Sequence, residues 1–209
     1  MKNFYSAVFF DMDGVLIDAR DWHYEALNQA LELFGLEISY ESHLASFNGL
    51  STRQKLSKLS ETHLLPVELH SLISNTKQNR TLRIAAEKCF PMTQHLILLE
   101  LLKLKGFKIA IYTNSIRETA EAMLEYAGLL EKIDLLVTNQ DVNSPKPDPE
   151  GYLLACHKLE VEPRSTFVVE DGDFGVLAAE KAGCKVIKVH KPSDVSISLI
   201  AKFLPEILL

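Results

Sequence analysis

The sequence predicts an α/β fold: a parallel sheet covered by helices and interrupted near its start by an inserted helical block. Three observations predict it. The apolar run Ala7-Val-Phe-Phe10 stops abruptly at Asp11 and Asp13, as a short buried strand does where it reaches a solvent edge. The second half of the chain alternates β-rich runs with helical stretches, the pattern of parallel strands joined by right-handed crossovers. Between these regions the text is helix-like and polar, with no convincing strand. The resulting boundaries are 1–17 with 87–209 for the α/β core and 18–86 for the inserted helices. A chain of 209 residues with 47% hydrophobic content can bury such a core.

Each element follows from its local pattern. After Asp18 the apolar period changes: Trp22, Ala26, Leu27, Ala30, Leu31 and Phe34 recur at helical spacing, and Gly35 is a C-terminal stop. Glu41–Phe47, Thr52–Ser60 and Pro66–Ala86 are predicted as further helices. In the second half, strands are predicted at Phe107–Tyr112, Leu135–Thr138, Phe167–Val169 and Val186–Val189. Helices are predicted at Thr93–Lys105, Ile116–Ala127, Gly151–Leu159 and Gly175–Ala182, with Gly128 and Gly183 at helix ends. Ser115-Ile-Arg-Glu118 reads as a capping box.

Composition narrows the classes of function. A formal net charge of -6 argues against general binding to nucleic acid or anionic membranes, which reward clustered Lys and Arg. No stretch approaches the ~20 apolar residues of a membrane span. Lys2 precedes an apolar run too short for a secretory signal. Cys89, Cys156 and Cys184 match no metal-knuckle spacing and give no complete disulfide set. A reduced, cytoplasmic setting is expected. No repeat, low-complexity tract or Gly/Ser linker is present.

Chemistry gathers where predicted strands end. Asp11 and Asp13 repel each other and call for a cation, a shared proton or wide solvation; a plain Asp-Gly turn at Gly14 is the alternative. The run Ile109-Ala-Ile-Tyr ends in Thr113-Asn114-Ser115, where a hydroxyl and the backbone N–H groups opening the next helix suit an anion, or the three residues simply cap that helix. Lys146 lies in Ser144-Pro-Lys-Pro-Asp-Pro149, where flanking prolines restrict the backbone and can aim the side chain. Glu170-Asp171-Gly-Asp173 follows the last central strand and offers hard oxygen ligands for Mg²⁺, or an acidic helix cap at Asp173. Parallel strands gather such groups at their carboxyl edge. Acids for Mg²⁺ beside a lysine and a hydroxyl for phosphate point to phosphoryl chemistry.

These four groups, in this order, resemble the haloacid dehalogenase superfamily, in the branch holding β-phosphoglucomutases and phosphoglycolate-type phosphatases. The resemblance covers nearly the whole chain: Asp11-Met-Asp13-Gly-Val, Thr113-Asn114, Lys146 in Pro-Lys-Pro-Asp-Pro, and Glu170-Asp171. It implies a Rossmann-like core with an α-helical cap after strand one. It further implies an Asp11 nucleophile, an Asp13 general acid/base, and phosphate binding by Thr113, Asn114 and Lys146. Mg²⁺ would be held by Asp11, Asp13 (through its backbone carbonyl), Asp171 and Glu170, the last directly or at one remove. The implied partner is a small phosphorylated metabolite, with a monomer expected and a dimer as the alternative.

The inserted helices would select the substrate. His23 lies early in the first of them, where similar proteins place a histidine near the active site. Asn48-Gly-Leu-Ser51-Thr52-Arg53 resembles the family's substrate loop, but in β-phosphoglucomutase the arginine directly follows the serine, and here Thr52 intervenes. Lys77 and Arg80 are further cations, with a solvated helix face as the competing reading. Pro91-Met92 departs from the usual Pro-Gly ahead of strand two. The leading expectation is a Mg²⁺-dependent phosphatase. A hexose-phosphate mutase is the second, and a non-catalytic binding protein on the same scaffold the third.

Overall fold

Strand β1 (Ala7–Phe10) has no solvent-exposed residue. It needs hydrogen-bonding neighbours on both sides, and it has them. In the computed structural model, which describes residues 5–47, 50–63 and 65–208, β1 pairs in parallel with β2 (Lys108–Tyr112) and with β4 (Thr166–Glu170). With β3 (Leu135–Val137) and β5 (Lys185–Lys188) they form one sheet, ordered β3-β2-β1-β4-β5. The order changes direction beside β1, so the carboxyl ends of β1 and β4 flank the kind of crevice where open α/β sheets bind ligands.

The chain divides into two compact units. Residues through Asp18 and from Phe90 onward form the sheet and its helices: α5 (Thr93–Leu104), α6 (Arg117–Tyr126), α7 (Glu150–Lys158), α8 (Asp173–Ala182) and α9 (Ile197–Ala201). One sheet face packs Ala7, Phe9, Ala110, Tyr112 and Val168 against Tyr152 and Ala155 of α7 and Ala178 and Ala179 of α8. The alternate set, Val8, Phe10, Ile109 and Ile111, is also buried, so both faces are covered, as parallel sheets require.

Residues Ala19–Cys89 form the helical unit. It comprises α1 (Arg20–Leu31), α2 (Tyr40–Ser42), α3 (Thr52–His63) and α4 (His70–Lys88). Its own core is Leu27, Ala30, Leu31, Ile38, Phe47, Leu56, Leu59, Leu65 and Ile73. Gly35 ends the helical run after α1 in the left-handed region, at φ 69°, as its position in the sequence predicts. No helix among the described residues is long and apolar enough to cross a membrane.

Several sequence expectations are refined. The stretch predicted as a helix from Glu41 is a single α-turn followed by a π-turn over His43–Phe47. The helix predicted from Pro66 begins with a 3₁₀ turn, Val67–Leu69. It then runs to Lys88, past the expected boundary at 86, because Glu87 and Lys88 continue the helix until Cys89 turns extended. The capping box at Ser115 does not form: the N-cap is Ile116, and the Ser115 hydroxyl donates to Asp13 instead. The Arg117 N–H opening α6 donates to the Gln140 side chain. Asp173 does not cap α8 either; it lies in the first turn and pairs with Lys188 at 2.6 Å. The C-terminal α9 carries no strong sequence signal and was not predicted. Asn48 and Gly49, part of the suggested substrate loop, and Lys2 lie outside the described residues.

Candidate active site

The parallel register carries β1 and β4 to the same level, because Phe10 pairs with Val169 and leaves Asp11 beside Glu170. The Asp11 N–H donates to the Val169 carbonyl at 3.0 Å, so the backbone remains in the ladder while the side chain leaves the strand. Then the chain turns tightly. Gly14 donates to the Ile17 carbonyl at 2.7 Å, and Leu16 and Ile17 donate to the Met12 carbonyl at 2.9 and 3.0 Å. Gly14 has φ 89°, and a Cβ there would collide with the Asp171 carboxylate. Glycine is therefore required twice, for backbone conformation and for space.

Lys146 is the hub. Its ammonium donates to Asp11 Oδ1 at 2.5 Å, Glu170 Oε1 at 2.6 Å and the Tyr112 carbonyl at 2.9 Å. An ammonium has three N–H donors, and all three are engaged. It lies 4.8 and 5.3 Å from the ring centroids of Tyr112 and Tyr152. Lys146 is 4% exposed and Glu170 2%. Burial alone would push the Lys146 pKa down, but Asp11 and Glu170 outweigh it and hold the proton more tightly than usual. For Asp11, burial acts first and Glu170 second; with Asp171 and Asp13 they raise its pKa well above the ordinary carboxylate range, against the pull of Lys146.

Oxygen atoms of Asp11, Glu170 and Asp171 lie within 4.8 Å of one another. Lys146 contacts two of these carboxylates, Asp11 and Glu170, and Glu170 and Asp171 both act on Asp11 as like charges. Hard carboxylate oxygens in that arrangement fit a small divalent cation such as Mg²⁺. Asp13 has side-chain partners of its own on the turn after β2. Its Oδ2 accepts from the Ser115 hydroxyl at 3.0 Å and, more weakly, from Thr113 Oγ1 at 3.5 Å. Thr113 Oγ1 accepts the Ser115 N–H at 3.0 Å, shaping the turn after β2. Asn114 braces the Lys146 backbone: its Oδ1 accepts the Lys146 N–H at 3.2 Å, and its Nδ2 donates to the Lys146 carbonyl at 3.5 Å.

The sheet edge thus brings together Asp11, Asp13, Thr113, Asn114, Lys146, Glu170 and Asp171. Within the helical unit, Lys77 donates to His23 Nδ1 at 3.1 Å, joining α4 to α1. Ser51 makes a capping interaction for α3: its N–H and hydroxyl reach Gln54 Oε1 at 2.8 and 2.9 Å, and its hydroxyl accepts the Gln54 N–H at 3.3 Å. Thr52 opens that helix half-buried, Arg53 is exposed and Arg80 is half-buried. Sequence reasoning missed three groups. Ser115 carries the pattern of a helix cap, while Tyr152 and His43 lie inside predicted helices with no signal that singles them out. His43 is 2% exposed, with its ring 5.0 Å from that of Tyr24. Burial, then Lys55 and His23, push its pKa down to about 4.

The sequence also matches a family model for haloacid dehalogenase-like hydrolases over residues 8–189. The chain is a member of that hydrolase family. Among its relatives, the validoxylamine A 7'-phosphate phosphatase of Streptomyces hygroscopicus is 31% identical over 86% of this chain and 83% of its own length. A phosphorylated carbohydrates phosphatase of Thermotoga maritima is 31% identical over 90% of this chain and 87% of its own. The fold matches that of a β-phosphoglucomutase crystal structure from Clostridium difficile, with a TM-score of 0.83 and coverage of 98% and 99%, at 22% identity.

Proposed function

We propose that this hydrolase is a Mg²⁺-dependent phosphatase of a small phosphomonoester, a sugar phosphate in the first instance, working through an aspartyl-phosphate on Asp11. The observation that carries the reading is the unlike partners of the two acids after β1: Asp11 is tied to Lys146, Asp13 to Ser115. Two carboxylates in unlike settings can take unlike roles. Relatives named as a phosphorylated carbohydrates phosphatase and a fructose-1-phosphate phosphatase support the substrate class.

Lys146 engages Asp11 Oδ1, and in the proposed mechanism the other oxygen, Oδ2, attacks. That oxygen forms a bond to phosphorus as the ester P–O bond breaks, and the leaving oxygen takes a proton from Asp13. Asp13 then removes a proton from water. The water oxygen bonds to phosphorus, the Asp11–phosphorus bond breaks, and inorganic phosphate and free Asp11 result. Thr113, Asn114 and Lys146 are assigned to binding the transferring group. Asp11, Asp171 and the Asp13 backbone carbonyl are assigned to Mg²⁺, with Glu170 beside them. Bound there, the ion would offset the repulsion between carboxylate and phosphate. His23, Ser51, Thr52, Arg53 and Lys77 stand as candidates for substrate selection.

The test is a panel of sugar, nucleotide and organic-acid phosphates with Mg²⁺ and free-phosphate detection. Phosphate release that is lost in EDTA and in Asp11→Asn is the expected result. Conversion of β-glucose 1-phosphate to glucose 6-phosphate without release would favour a mutase instead. No turnover of any substrate would overturn the enzymatic mechanism.

A further inference from the structure

We propose that Tyr152 is a positioning residue whose hydroxyl fixes the Glu170 carboxylate, and through it the Lys146–Asp11 contact and the cation site. The inference rests on the phosphatase reading for its kinetic readout and for the cation site. Tyr152 lies in the first turn of α7, fully buried, and its hydroxyl donates to Glu170 Oε1 at 2.7 Å. The same oxygen accepts Lys146 at 2.6 Å, and Glu170 Oε2 accepts the Asp171 N–H at 3.1 Å. Donors on both oxygens remove the carboxylate's freedom to rotate. Of these three donors, the phenol alone comes from a residue outside the proposed machinery.

The surroundings leave this tyrosine little freedom. Its ring meets Tyr112 edge-on at 5.0 Å. A Cβ on the preceding Gly151 would collide with the Tyr112 ring, and one on Gly175 would collide with the Glu170 carboxylate. Both helices therefore approach as closely as glycine permits. Burying a hydroxyl costs free energy unless it is bonded, and phenylalanine would fill the same space without that cost. The hydroxyl's effect is orientation: without it Glu170 can turn, Lys146 can follow, and the oxygens of Asp11 and Glu170 lose their fixed spacing.

The test is Tyr152→Phe, which keeps the ring, read in three ways. Mn²⁺ binding to the metal-free protein, followed by electron paramagnetic resonance, should weaken about tenfold, and kcat should fall about 10- to 100-fold, the usual range for groups that orient metal ligands. KM should stay within about threefold, since substrate contacts are kept. In a Glu170→Gln background the same substitution should cost less than about threefold in kcat, because partners in one network are not additive. Unchanged Mn²⁺ affinity and kcat with only a lower melting temperature would overturn the proposal, as would full additivity with Glu170→Gln. If the wild-type protein hydrolyses nothing, the phosphatase reading fails while the Mn²⁺ titration still decides the role of Tyr152. Absence of Mn²⁺ binding by the wild type would overturn both.

Discussion

Lys146 at the sheet edge and His43 in the helical unit are both buried, and they meet the cost of leaving water by different routes. Lys146 keeps its charge and is surrounded by acceptors: two carboxylates and a carbonyl. His43 sits against Tyr24, and near Lys55 and His23, and it gives up its charge. The difference follows from ordinary pKa values. An imidazole sheds its proton near neutrality at little cost, whereas an ammonium does not. It also separates a region built around fixed charge from one whose buried base responds to pH.

The largest expected effect breaks the charged region at its proposed nucleophile. Asp11→Asn should lower phosphate release by roughly 10⁴-fold or more. It should not lower stability, since it removes one of several mutually repelling carboxylates; phosphate assays paired with thermal melts check both halves. Lys146→Met comes next. It leaves Asp11 and Glu170 buried without their shared cation and should cost about 3–5 kcal/mol by urea unfolding, along with activity. Ser115→Ala releases Asp13 alone. A loss of about tenfold in kcat with little change in stability is expected, below the range for removing a general acid outright.

The smallest effect sharpens the other side of the comparison. The folded-state pKa of His43 lies near 4 against an ordinary 6.5. Between those values the unfolded chain binds a proton that the folded chain does not, so stability falls as pH drops through that window and is unaffected above it. The loss should be on the order of 1–3 kcal/mol by pH 4, measured by urea unfolding across pH. His43→Phe should flatten that dependence; an unchanged slope would place it on other groups.

The sheet edge was legible because its residues announce themselves locally. Asp11, Thr113, Lys146 and Glu170 each follow an apolar β-rich run, and the alternation of strands and helices brings those ends together. Ser115 and Tyr152 were not legible for the same physical reason. Their partners, Asp13 and Glu170, are far away in sequence, and a local pattern offers each a cheaper explanation: a helix cap for Ser115, an apolar helix face for Tyr152. The helical unit was harder throughout. Its apolar spacing identifies α1, yet the π-turn at His43–Phe47, which buries both of its end residues, has no counterpart in local spacing.

The position of β1 has a consequence for how the protein is made. The strand leaves the ribosome before the helical unit, and both of its neighbours, Lys108–Ile111 and Thr166–Val169, emerge only after that unit. During synthesis the helical unit can bury its core from contiguous sequence, while Ala7–Phe10 waits as an unpaired apolar edge. Closing the sheet then joins chain segments of high sequence separation, which is slow. The strand that later carries Asp11 to its place is, on the nascent chain, an apolar segment that must be kept from pairing elsewhere until its neighbours arrive.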